Sequence, residues 1–219
     1  MNPSSIPATR LSFRLGTPAD CETIALIGAQ AYQNYEYFTI FFPNPQQRLR
    51  FGTQLQRTGY KVALIRDRVL IGLLDGHIAC AAELIAPTDH PQTSLDFLRA
   101  GLPKMLRAGG LRNTIEWLRM QQETSRVCHH LPQPHWYINS LAVAPHLQGQ
   151  NLGSEMLQHC IIPFVAQHGG GLLTLITNND PNRFFYLKNG FYEFSTDMFS
   201  YRGQQLPNYA FSLQVSPQQ

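Results

Sequence analysis

Between residues 143 and 154 the chain reads Val-Ala-Pro-His-Leu-Gln-Gly-Gln-Asn-Leu-Gly-Ser. An apolar run stops at Pro145, a short loop carries Gly149, Asn151 and Gly153, and an amphipathic run begins. Glycine permits positive φ and close backbone approach. A loop of this kind can aim several backbone N–H groups inward at the start of a helix, which makes an anion site suited to a phosphate or diphosphate. Two uses of such a loop do not fit. A nucleotide P-loop needs Gly-Lys-Ser/Thr, and Gly153-Ser154 has no lysine. A dinucleotide fingerprint needs G-x-G-x-x-G near the first strand; this loop lies late in the chain and spaces its glycines differently.

Other residues could carry protons or bind. Glu83 interrupts an apolar run, where a carboxylate is either functional or salt-bridged. His135 opens another apolar run and is either a satisfied strand histidine or a base. Tyr186 follows Phe184 and Phe185 and by itself reads as a core aromatic. Asn179, before Asp180-Pro181, reads as a turn former. Cys21, Cys80, Cys128 and Cys160 form no C-x-x-C pair, which suits a reducing compartment, and the cytoplasm is expected. The Cys128-His129-His130 cluster lacks zinc spacing, so no metal site is expected.

The run Val143-x-Pro145-x-x-Gln148-Gly149-x-x-x-Gly153 resembles the acetyl-CoA loop of the GNAT superfamily of N-acetyltransferases, whose pattern is Arg/Gln-x-x-Gly-x-Gly/Ala. Asn151 stands where that family usually has glycine. A left-handed conformation costs most residues about 1–2 kcal/mol, and asparagine tolerates it best, so the loop is expected to form. Downstream, Asn179-x-x-Asn182-x-x-x-Tyr186-x-x-x-Gly190-Phe191 resembles the family's Asn-x-x-Ala-x-x-x-Tyr-x-x-x-Gly-Phe, with Asn182 in place of alanine. The opening strand and helix, with Arg14 and Asp20, also resemble the family's start.

The resemblance implies an acetyltransferase that uses acetyl-CoA as co-substrate and acylates a primary amine of a small molecule. The pantetheine arm would run along Leu141, Ala142 and Val143. The diphosphate would sit on amides of Gln148, Gly149, Gln150, Asn151, Leu152, Gly153 and Ser154. Asn179 and Asn182 would lie beside the coenzyme, and Tyr186 would protonate the departing thiolate. The base is His135, Glu83 or a water chain. A non-catalytic acyl-CoA-binding or sensor module of the same fold is the alternative.

The elements that must hold these residues follow from pattern and punctuation. Leu11–Leu15 alternates as a strand, and Thr17-Pro18-Ala19-Asp20 starts a helix. Arg48 to Gln56 reads as a helix. Asp75-Gly76 between two apolar runs, 69–74 and 78–85, predicts a hairpin. In 87–134, Leu95, Leu98, Leu102 and Met105 and then Leu111, Ile115 and Leu118 predict two helices of an insert that shapes the acceptor pocket. His135 to Val143 is a strand without clean alternation, which suggests a central position. A helix over 153–164, bent or ended by Pro163, precedes a strand at 172–177, a short helix at 182–189 and strands at 191–201 and 209–215.

The fold class is thus mixed α/β. By resemblance it is a twisted central mixed sheet of about seven strands flanked by helices, with the helical insert at 87–134. A loose tail, 1–10, precedes one domain, 11–219. A net charge of +3 is too small for a nucleic-acid surface, and Asp75, His77 and Glu83 break the longest apolar stretch, which excludes it as a membrane span. The N-terminus lacks the apolar core of a secretory signal.

Overall fold

A computed structural model describes residues 10–66, 68–89 and 94–218. The tail expected at 1–10 lies outside them except for Arg10. In chain order the elements are β1 (Leu11–Leu15), α1 (Cys21–Tyr32), α2 (Glu36–Thr39), α3 (Pro45–Leu64), β2 (Val69–Leu74), β3 (His77–Ile85), α4 (Ser94–Ala100), α5 (Leu102–Gly109), α6 (Leu111–His129), β4 (His135–Val143), α7 (Leu152–Met156), α8 (Ile162–Gln167), β5 (Gly171–Thr177), α9 (Asp180–Lys188), β6 (Tyr192–Tyr201) and β7 (Gln204–Val215).

The seven strands form one sheet in the order β1-β2-β3-β4-β5-β7-β6. Every neighbouring pair is antiparallel except β4 and β5. Asp75 and Gly76, at φ 50° and 78°, close the β2–β3 hairpin as expected. The parallel pair is short: only His135–Tyr137 face Leu172–Thr174. Beyond these residues the strands part. A bulge in β4 accompanies the parting. Leu84 faces Ile138 and Glu83 faces Ser140, so Asn139 has no partner, and such an extra residue bends its strand. The bulge also explains the missing alternation. Trp136 and Ile138 join the core on one face, and past Asn139 the parity switches, so that Leu141 and Val143 pack there.

On that face α7, α8 and α9 cover the sheet with Met156, Leu157, Ile161, Val165 and Tyr186; α1 and α3 cover the other with Ile24, Tyr60 and Ala63. Pro163 does not end its helix. A π-turn at Leu157–Ile161 widens the backbone just before it, and the helix runs on to Gln167. The third helix is longer than expected, because Gly59 lies inside it rather than after it.

In the insert, the expected apolar lines are only partly buried. Leu102 and Met105 pack inward, but Leu95 and Leu98 are exposed. In α6 the buried side is Thr114, Trp117, Met120, Thr124 and Cys128, while Leu111 and Ile115 are exposed and Leu118 is partly exposed at the rim of a cleft. The last strand starts at Gln204, before Tyr209, and passes through Pro207. The Pro207 carbonyl points to the β5 side, where it accepts from the Asn178 amide after β5 has ended. A missing N–H there costs the β6–β7 ladder nothing.

Candidate active site

The parting of β4 and β5 opens a cleft of about 1690 Å³ that passes between the two faces. Three of its walls come from the residues singled out above: the end of β4, the loop 147–154, and α9 with Asn179, Asn182, Phe185 and Tyr186.

The backbone of β4 presents polar groups to this gap. Ala144 donates its amide to Ala79 of β3, so the groups of Leu141 and Val143 point the other way, toward β5. Both groups of Leu141 are held by one side chain: the Tyr32 hydroxyl donates to its carbonyl at 2.8 Å and accepts from its amide at 3.1 Å. The Val143 carbonyl accepts from the Gln148 side chain at 3.1 Å.

The loop after β4 folds through two left-handed residues. Gly149 has φ 77°, and a side chain there would meet only open space, so backbone conformation alone calls for glycine. Asn151, at φ 66° and ψ 3°, takes the left-handed conformation expected of it and stands at the N-terminus of α7. Its amide donates to Glu155 at 3.2 Å. Gly153 serves close packing: a β-carbon would lie 3.1 Å from the ring of Phe185 on α9.

Asn179 caps α9, its side-chain oxygen accepting from the Asn182 amide at 2.9 Å. Tyr186 is buried, its ring packed against Phe185, Phe191 and Phe211. Burial and the neighbouring Tyr35 push its phenol well above the ordinary value. Tyr186 is thus both a core aromatic and a cleft residue.

Glu83 reaches the cleft from the opposite face, beside Ser140. It is 3% exposed and has no ion-pair partner among the described residues. Burial pushes its carboxyl up to about 7, opposed by a hydrogen bond from Asn139. The structure does not bring His135 to this site. It stands at the paired end of β4, with Nδ1 against the Gln133 carbonyl at 3.0 Å, and it does not line the cleft.

Sequence reading missed the tyrosines of segment 32–37. Tyr35 shares a hydrogen bond with Thr177 at 2.9 Å and accepts from the Asn178 amide at 2.9 Å. Asn178, buried at the end of β5, also donates to Tyr37 and to Asn208, the latter at 2.7 Å. This network fixes α2 against the cleft. The visible signal was the density of aromatic residues from Tyr32 to Phe42. The four cysteines are buried and free, and burial pushes Cys80, Cys128 and Cys160 up to about 12, so none is poised as a thiolate.

Residues 112–191 match the family model described as the acetyltransferase (GNAT) family. Several solved structures share the fold. An acetyltransferase from Corynebacterium glutamicum superposes with a TM-score of 0.63 at 18% identity, covering 96% of this chain and 98% of its own. The Drosophila melanogaster polyamine N-acetyltransferase, which forms N-acetylagmatine, gives 0.61 at 16% identity, covering 94% and 100%. A putative acetyltransferase from Salmonella typhimurium, solved with its cofactor acetyl-CoA, gives 0.56 at 16% identity, covering 94% and 95%. At these identities the likeness establishes the fold. No curated protein matches the chain in sequence.

Proposed function

From the premise that residues 112–191 carry a GNAT acetyltransferase domain within that family's fold, we propose that this protein transfers an acetyl group from acetyl-CoA to a primary amine of a small molecule. Residues 11–219 act as one unit, because both halves of the chain line the cleft. One observation carries the reading: the gap between β4 and β5 opens beside the left-handed turn at Gly149 and Asn151, with the Tyr186 phenol facing it.

In this reading the amides of Gln148 to Ser154 hold the diphosphate, and the β4 edge from Leu141 to Val143 takes the pantetheine arm as a substitute strand. Asn179 keeps α9 in place, and Asn182 lines the arm. A lysine-like amine, near 10.4, loses about 4 kcal/mol on becoming the free base at neutral pH. Glu83, poised near 7, is suited to take that proton directly or through water. Tyr186 stays protonated across the working range and can donate to the leaving thiolate, which resembles cysteine at about 8.5. The raised thiols favour direct attack on the thioester over an enzyme-bound acyl group. Free, buried cysteines also fit a cytoplasmic setting.

Calorimetry with coenzyme A, paired with thiol release over a panel of primary amines, tests the reading. Binding with amine-dependent release supports it. Binding without release from any amine favours a sensor of the same fold, and absence of binding at low salt overturns both.

A further inference from the structure

The acceptor end of the cleft has a chemistry of its own. Apart from the exposed Glu36 and Lys188, its one ionisable acid or base with a full charge to offer is Glu83, buried and without an ionic partner among the described residues. Gly59 of α3 makes room for it: a β-carbon at that position would lie 3.3 Å from the carboxylate. The same cleft has apolar walls, with Phe38, Phe97, Leu102, Met105, Trp117 and Leu118 among its lining. Phe38 and Phe51 pack on Trp117, tilted at 5.4 Å and edge-on at 5.6 Å between ring centres, and the indole is buried.

Resting on the acetyltransferase reading above, we infer that the acceptor is a primary amine with a single positive charge on an aromatic or aliphatic body, and not a polyamine. A buried carboxylate needs a cation, and one ammonium satisfies it. The carbon skeleton then displaces water from apolar walls, which favours it roughly in proportion to the area covered. A second ammonium carried into the same walls meets no second buried carboxylate, Glu36 being exposed to solvent.

The test compares 2-phenylethylamine and hexylamine with 1,5-diaminopentane and spermidine at saturating acetyl-CoA, after coenzyme binding has been measured by calorimetry. The expected result is a kcat/KM at least about tenfold higher for the monoamines, since each extra buried methylene is worth severalfold. Leu118→Glu, at a partly exposed wall position, should shift that preference toward the diamine by about two- to fivefold with coenzyme affinity unchanged. Equal or better turnover of the diamines overturns the inference and leaves the acetyltransferase reading standing. So does coenzyme binding with no turnover of either monoamine. Loss of coenzyme binding by the wild-type protein removes both.

Discussion

Tyr32 and Leu141 lie 109 positions apart, yet one phenol holds both backbone polar groups of the strand residue. Those groups face the gap that β5 leaves unfilled, so Tyr32 stands in for the missing neighbour strand. A pantetheine arm lying along β4 must compete with it. Tyr32→Phe should therefore bind coenzyme A about three- to tenfold more tightly, while the free protein loses about 1 kcal/mol of stability. Calorimetry and thermal melts with and without coenzyme check this. Weaker binding would mean that the tyrosine assists the ligand.

Tyr186 has its ring in the core and its hydroxyl toward the cleft. Tyr186→Phe keeps the packing and removes the acid. Turnover should fall about 10²-fold, within the general-acid range, with melting temperature and coenzyme affinity little changed. Unaltered turnover would take Tyr186 out of the mechanism.

Glu83 ties stability to pH with an unusual sign. Its carboxyl titrates at about 7 in the folded protein against 4.5 in the unfolded chain, so the folded state binds more protons between those values. Raising pH through that window removes stability, to a total of about 3 kcal/mol above it. Glu83→Gln avoids this loss. It should melt higher than wild type at pH 8, and the gap should close toward pH 5. Its kcat/KM should lose the rise near pH 7 that is expected of the wild type. A constant difference in melting temperature across pH would contradict the buried, unpaired carboxylate.

Asn151 offers a backbone test. Asn151→Gly should preserve or slightly tighten coenzyme binding. Asn151→Val, with a branched side chain at φ 66°, should cost about 1–2 kcal/mol and loosen the binding loop. Equal affinities for the two variants would show that the left-handed turn is not needed for the ligand.

What could be read from sequence follows the range of each constraint. Gly149 and Asn151 were legible because few residues tolerate their dihedral angles, and the Asp75-Gly76 hairpin for the same reason. Local pattern failed in α6, where Thr114, Thr124 and Cys128 share the buried side with Trp117, and counting large apolar residues picks the wrong stripe. It failed in α3 because Gly59 is a poor helix former kept there by Glu83, a partner on another element. The tyrosines at 32, 35 and 37 were missed because their partners, Leu141, Thr177 and Asn208, come from remote segments and in part from backbone atoms, which leave no mark on residue type.

The unpaired Asn139 acts as a reading-frame shift within β4. Removing that one residue would restore a regular ladder with β3 without turning any side chain over, because Ser140 would still face Glu83 and Leu141 and Val143 would keep their places on the core face. What would be lost is the local bend at the point where β4 turns away from β5. A one-residue deletion would thus straighten the strand and narrow the opening, whereas many replacements of the Asn139 side chain would leave it standing.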